Sequence, residues 1–280
     1  MDASSQSGLT FSGLGIAPRL LDVLDKLRYV TPTPIQRQAI PLALEGSDVV
    51  GIAQTGTGKT LAFWIPMIQL LASAKGRGLI LLPTLELALQ VDESLRKVAS
   101  SFGLRTAVLI GGLSLKPQVE AVRRNPHIII ATPGRLNDHL QQRTVRLDQV
   151  TILVLDEADR MLDMGFLPQI RKILQVVPRD RQTILFSATI SREIMSIASA
   201  QMKLPIRVEV APTGTTVDRV TQEIFVVAKD AKMRLLEKVL GQYVGSTLIF
   251  TRTKHGARRV ALAIQVMGHS VAEIHSNRSL

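Results

Sequence analysis

The apolar positions of this chain fall into short unbroken runs, separated by longer stretches in which they recur every three or four residues. The runs are Asp48–Ala53, Gly78–Leu82, Thr106–Ile110, His127–Ala131, Ile152–Asp156 and Gln182–Ser187. Sequences such as IIIA and ILVLD are apolar at successive positions, which suits strands covered on both faces. The stretches between them, Leu85–Ser100 for example, carry the helical period. Strand and helix alternate, so the pattern predicts an α/β fold with a parallel sheet flanked by helices. Ahead of the first run, helical spacing covers Leu14–Leu27. TPTPIQ (Thr31–Gln36) interrupts it, because each proline fixes its own φ and restricts the residue before it. A second helix is expected over Gln36–Leu44.

A chain of 280 residues exceeds the usual size of one domain. Residues 1–10 are polar and read as a loose N-terminus, and residues 11–210 hold the alternating pattern. The turn-rich APTGTT (211–216) is a linker, and the alternation restarts over 217–280. There TQEIFVVA, STLIFT and SVAEIH are strand candidates, with helices expected over Lys232–Tyr243 and Lys254–Met267. So few elements leave a sheet with an open edge and uncovered faces, so the second unit reads as an incomplete α/β domain.

Composition narrows the chemistry. With 46% apolar residues in short runs, the chain reads as a soluble globular protein without a membrane span or a secretory signal. It has no cysteine, which excludes disulfides, thiolate zinc sites and a cysteine nucleophile and fits the reducing cytoplasm. Thirty-four Lys and Arg against twenty-three Asp and Glu give a net charge of +11. Such a balance serves solubility, and equally suits a phosphate-backbone partner.

Two segments carry the sharpest chemistry. In AQTGTGKT (Ala53–Thr60) a strand runs into a glycine-rich turn and then a helix. That turn aims backbone N–H groups from Thr55, Gly56, Thr57 and Gly58 at one point before a positive helix end, where a phosphate chain fits. Lys59 reaches the β- and γ-phosphates in such loops, and the Thr60 hydroxyl ligates Mg²⁺. Ala53 stands where the strict pattern has glycine. In VLDEAD (Val154–Asp159) a buried strand delivers Asp156 at its carboxyl end, where α/β sheets place ligands. An oxygen ligand there suits a hard cation, and Glu157 beside it is placed to orient and deprotonate an attacking water.

These segments, with the motifs around them, resemble the DEAD-box RNA helicases, whose two RecA-like domains close over ATP and RNA. Asp156–Glu157–Ala158–Asp159 spells the name, and the likeness runs in order from Phe11 to the end. RYVTPTPIQ resembles the family's adenine-reading motif. The resemblance implies that Gln36 reads the base edge, its amide both donating and accepting, with Phe11 packed on the ring. Arg28 stands where the family usually has glycine. Ser187–Ala188–Thr189 resembles the motif coupling nucleotide state to RNA grip, joined by Asp159. Three segments match backbone-contacting motifs: PTLELA with Pro83, Thr84 and Glu86; the pair Gly111–Gly112; and Thr132–Pro133–Gly134–Arg135. Glycines admit a close phosphate, and Thr and Arg donate to it. LIFTRTK (Leu248–Lys254) resembles the start of the family's second domain.

The resemblance therefore implies an ATP-dependent RNA helicase, with ATP and Mg²⁺ as cofactors and single-stranded or short duplex RNA as partner. Leu85 replaces the arginine usual in PTRELA, which removes a charged donor and predicts weaker RNA binding. The family's last two motifs, with the arginines that reach the γ-phosphate, lie beyond AEIHSNRSL. Two alternatives stand: an ATP- and RNA-binding fragment with little turnover, and a DNA translocase on the same scaffold.

Overall fold

The computed structural model describes residues 10–210, 221 and 223–275. The chain divides into two compact units, Met1–Thr215 and Thr216–Leu280. In the first unit, helices α1 (Pro18–Lys26) and α2 (Pro34–Leu44) precede a seven-stranded sheet. Its strands are β1 (Val49–Ile52), β2 (Arg77–Leu81), β3 (Thr106–Leu109), β4 (Ile128–Ala131), β5 (Val150–Leu155), β6 (Gln182–Ser187) and β7 (Ile206–Glu209). Between them lie α3 (Lys59–Ser73), α4 (Leu85–Ala99), α5 (Leu115–Arg123), α6 (Pro133–Gln141), α7 (Ala158–Asp163), α8 (Leu167–Val176) and α9 (Arg192–Gln201). The strand order is β3-β4-β2-β5-β6-β1-β7, and every pairing is parallel.

The unbroken apolar runs are explained by two cores, one on each sheet face. Ile80, Ile128, Ile130, Val154, Ile184 and Phe186 point into one core, shared with α1 to α4. Their neighbours Leu79, Leu81, Ile129, Ala131, Leu155 and Leu185 point into the other, shared with α6 to α9. Successive side chains alternate between faces, and both faces are dry, so every position is apolar.

The seventh strand was not expected from the sequence. It lies on the sheet edge, and Val208 alone among its four residues is buried, so its pattern is nearly that of a loop. Pairing with β1 makes it a strand: Ile206 N–H donates to Asp48 O at 2.8 Å and Val210 N–H to Ile52 O at 3.0 Å.

In the second unit, helices α10 (Lys232–Gln242) and α11 (Lys254–Val266) stand where they were expected. The three strand candidates do not form a sheet among the described residues. Residues 223–228, 246–251 and 269–274 carry no assigned strand, and His275, which ends the third run, carries a single bridge. Val226, Val244, Leu248, Phe250 and Ile274 are exposed. A β run becomes a strand only when a neighbour takes its N–H and C=O groups, whatever its propensity.

Candidate functional site

All seven strands run the same way, so the loops that follow them gather at one sheet edge. The strand order sorts those loops into two groups. The glycine-rich loop follows β1, DEAD follows β5 and SAT follows β6, and these three strands are adjacent. The loops with Pro83–Glu86, Gly111–Gly112 and Thr132–Arg135 follow β2, β3 and β4, the adjacent trio on the other side. Residues scattered from 53 to 189 thus form two neighbouring patches on one edge.

In the first patch Gly56 and Gly58 adopt φ of 86° and 89°, a region costly to any residue with a Cβ. They turn the chain so that α3 begins at Lys59, with Thr60 in its first turn. Thr57 Oγ1 ties the loop by donating to Gln54 O at 2.7 Å. Gln36 holds it from α2: its Nε2 donates to Gly58 O at 2.9 Å, while its Oε1 accepts from Thr33 N–H at 2.9 Å. A Cβ on Gly58 would stand 2.4 Å from Gln36 Nε2. The expected adenine-reading amide is therefore engaged with the phosphate loop in this conformation, with one N–H and one lone pair left over.

Lys59 is buried, and its Nζ has no hydrogen-bond acceptor within the protein. Its positive charge acts on Asp156, which lies 6% exposed at the end of β5. Burial pushes the Asp156 carboxyl up to about 6, against the opposing pull of Lys59 and of the Glu157 N–H that donates to it at 2.9 Å. Glu157 is a non-glycine residue at φ 52°, the backbone cost being of order 1–2 kcal/mol. Its carboxylate accepts from Thr55 Oγ1 at 3.3 Å and pairs with Arg160 at 3.3 Å. Arg160 was not singled out in the sequence; its signal was the three-residue spacing from Glu157. Asp159 Oδ2 accepts from Ala188 N–H at 3.1 Å, Thr189 N–H at 2.9 Å and Thr189 Oγ1 at 3.1 Å. Ser187 ends β6 fully buried.

Phe11 departs from the expectation of a ring presented to adenine. It is 3% exposed and belongs to the apolar core with Leu14, Ile16 and Leu20. Its local segment packs on α2, so the ring anchors the N-terminal turn.

In the second patch, Thr84 caps α4 by accepting from Leu87 N–H at 3.3 Å, and Glu86 is exposed in the first turn. Thr132 precedes α6 and Pro133 is its first residue. Gly111 N–H donates to Thr132 Oγ1 at 3.4 Å, linking the glycine pair to TPGR. Arg135 has a side chain 12% exposed, lies 3.5 Å from Asp138, and keeps its Nη1 buried without an acceptor.

Among the described residues no three His, Cys, Asp or Glu side chains form a metal-binding group. A divalent cation near Asp156 would thus depend on Thr60, phosphate oxygens and water, the habit of magnesium at nucleotide sites.

A parallel sheet carrying a phosphate loop and an acidic strand end on one edge defines a RecA-like nucleotide-binding fold. Residues 33–197 match the DEAD/DEAH box helicase family, and the chain belongs to it. It is 42% identical over 270 residues to an ATP-dependent rRNA helicase of Debaryomyces hansenii, a match covering 95% of this chain and 57% of that protein. An ATP-dependent rRNA helicase of Yarrowia lipolytica is 40% identical over 283 residues, covering 100% of this chain and 59% of its own length. A DEAD box protein from Methanococcus jannaschii superposes with a TM-score of 0.69 at 32% identity, over 97% of this chain and 74% of that one. A hypothetical ATP-dependent RNA helicase from Sulfolobus tokodaii gives a TM-score of 0.64 at 35% identity, over 69% of this chain and 56% of that one. The chain thus spans less than two thirds of the curated relatives' length.

Proposed function

We propose that this chain binds ATP with Mg²⁺ at the β1, β5 and β6 loops, grips RNA at the β2, β3 and β4 loops, and couples the two as an RNA helicase. The observation that carries the reading is the buried Lys59 ammonium, without a protein acceptor, at the base of a left-handed glycine loop and beside Asp156. A buried cation needs a partner, and a phosphate oxygen is the one this loop geometry admits. Residues 11–210 form the ATP-binding domain and 217–280 part of a second RecA-like domain; the expected linker, 211–216, lies outside the described residues.

Lys59 and the N–H groups of Thr55 to Thr60 would hold the phosphates, with Asp156 and Thr60 holding the cation. Magnesium, when bound, supplies charge that offsets the anion developing on the phosphates. Glu157 is the base that orients and deprotonates the attacking water; burial and its ties to Thr55 and Arg160 keep it aimed. Asp159, bonded to Ala188 and Thr189, transmits the state of this patch to the SAT loop. On the RNA side the contacts are with the sugar-phosphate backbone. Thr84, Gly111, Gly112, Thr132 and Arg135 donate to phosphate, Pro133 and Gly134 shape the start of α6, and Pro83 shapes that of α4. Glu86, an acceptor only, would take a 2′-hydroxyl, which favours RNA over DNA. The names of the fungal relatives, ATP-dependent rRNA helicases, support ribosomal RNA as the substrate class. Among the described residues no helix is long and apolar enough to cross a membrane, and with no cysteine the chain suits the cytoplasm.

The test is ATP hydrolysis with and without single-stranded RNA, and with DNA of equal length, using Glu157→Gln as the blank. RNA-stimulated turnover that Glu157→Gln abolishes supports the helicase reading, and equal stimulation by DNA points to a translocase. A second reading, nucleotide and RNA binding with little turnover, is favoured by the second unit, where residues 223–228, 246–251 and 269–274 carry no assigned strand. ATP binding without stimulated hydrolysis would establish it, since a cleft arginine from the partner domain is worth on the order of 10³–10⁵ in rate.

A further inference from the structure

Helix α5 has only one buried residue, and that residue is Gln118. An amphipathic helix ordinarily docks through a buried apolar stripe; here Leu115, Val119, Ala121 and Val122 are only half-buried and the buried position is an amide. Gln118 Oε1 accepts from Ile110 N–H at 3.1 Å, and Nε2 donates to Ile110 O at 3.0 Å and to Ser114 O at 3.1 Å. It therefore brackets the turn that contains Gly111 and Gly112. Across from it, His139 on α6 is fully buried, with Nε2 3.4 Å from Gln118 Oε1 and Nδ1 2.7 Å from Thr144 Oγ1. A neutral ring with its proton on Nε2 satisfies both contacts. Burial, reinforced by Arg135, lowers the His139 pKa and favours that form. On the far side of α6, Asn137 Nδ2 donates to Pro133 O at 2.8 Å and to Gln169 O at 3.1 Å, fixing the helix start against α8.

We infer that Gln118 is a positioning residue for RNA binding: with His139 it sets the spacing between the Gly111–Gly112 turn and the Thr132–Arg135 helix start, so that both meet one RNA backbone. The inference rests on the RNA-binding reading above. Neither residue reaches the edge itself, since both are buried. The two bonds at Ile110 are made to buried backbone groups that would otherwise be orphaned, so the turn has one low-energy position. Without the amide, α5 keeps only half-buried apolar contacts, and the turn joins the locally opening parts of the fold.

The test uses the full chain and Gln118→Met, which keeps the length and apolar stem but removes the hydrogen bonds. Binding of a labelled single-stranded RNA and of a fluorescent ATP analogue is measured across salt concentrations, together with amide exchange. Ile197→Ala, a core truncation on α9, serves as the destabilised control. Gln118→Met should weaken RNA about tenfold, the equivalent of one lost charge-assisted hydrogen bond. It should leave nucleotide affinity within about twofold, and lower the slope of log affinity against log salt by about one phosphate contact. His139→Phe should act similarly, and the double variant should lose less than the two losses together, because one link is broken twice. Exchange should rise at Gly111–Ser114 and not in the Gly56–Thr60 loop. Unchanged RNA affinity, or RNA and nucleotide affinities falling together as in Ile197→Ala, overturns the inference. If the unaltered chain binds no RNA, the functional reading fails instead. The exchange comparison still decides whether Gln118 holds the turn: unchanged protection at Gly111–Ser114 overturns that.

Discussion

Replacing Lys59 with methionine should make the nucleotide-free protein more stable while destroying its nucleotide site. Lys59 is 6% exposed, yet its ammonium finds no acceptor in the protein. Leaving a buried charged donor unsatisfied costs about 1–3 kcal/mol or more. Methionine has nearly the same length and no charge, so it fills the space without that penalty. The attraction of Lys59 for Asp156 is lost too, but Asp156 answers by binding a proton, since burial already pushes its carboxyl up to about 6. The expected net gain is about 1–2 kcal/mol, or roughly 2–8 °C in Tm for a unit of this size. Trp64, the only tryptophan, lies fully buried on α3 five residues after Lys59, so its fluorescence reports unfolding next to the site. Thermal melts should be recorded without nucleotide, then with a non-hydrolysable ATP analogue and Mg²⁺. The unaltered chain should rise in Tm with ligand and the variant should not, so that their order reverses at saturation. A nucleotide-free variant that melts below the unaltered chain would refute the claim that Lys59 is uncompensated. A variant still stabilised by the analogue would refute its role in phosphate binding.

Three further outcomes are expected. Asp156→Asn should stabilise the nucleotide-free protein at pH 7, because a carboxyl raised to about 6 from 3.8 opposes folding by about 3 kcal/mol above that pH. That penalty is relieved as pH falls from about 6 toward 4, so denaturant melts should show the variant's advantage shrinking over this window; a constant advantage would be contrary. Leu85→Arg should tighten single-stranded RNA binding at low salt by restoring a charged donor of roughly 1.5–3 kcal/mol, read by fluorescence anisotropy. Arg28 adopts φ 63°, so Arg28→Gly should raise stability by about 0.5–1 kcal/mol; a fall in Tm would show that Arg28 makes a compensating contact.

The α/β fold was legible in the sequence because its strands are covered on both faces. Successive apolar residues in β4 and β5 leave little room for another reading. The edge strand β7 was not legible, since exposure to solvent and pairing on one side erase that signature. The runs of the second unit show the converse, apolar and β-branched yet without a ladder among the described residues. In the site, the order of the motifs could be read locally, but their sorting into two patches comes from the strand order, which no local pattern carries. Side-chain state was the least legible. Thr33 and Gln36 stand at capping-box spacing, so the bond between them was foreseeable, whereas the bond from Gln36 to Gly58 joins residues 22 apart. Gln118, in LKPQVEAVR, reads as one more polar residue on a surface helix, and only the fold shows it buried.

The two patches are joined by a frame that has little freedom to change. Ala53 N–H donates to Ser187 O, Asp156 N–H to Leu81 O, Leu82 N–H to Ala131 O, and Thr132 N–H to Leu109 O, each at 3.0–3.1 Å. These bonds lie at the carboxyl ends of the strands, directly beneath the loops. They continue the parallel ladders from the patch at β1, β5 and β6 to the patch at β2, β3 and β4, and the residues around them are close-packed on both faces. On the proposed function, a signal from ATP to RNA cannot then be a shift of one strand past another. It has to be carried by groups above the frame that have a second arrangement open to them. Two sets qualify on geometry: the Thr55–Glu157–Arg160 contacts, both at 3.3 Å, and the grip of Asp159 on Ala188 and Thr189. The first is long and half solvent-exposed through Arg160, so a phosphate entering beside Lys59 can displace it at little cost. The second is shorter and threefold, so it would hold while the first rearranges, carrying the position of α7 into the SAT loop.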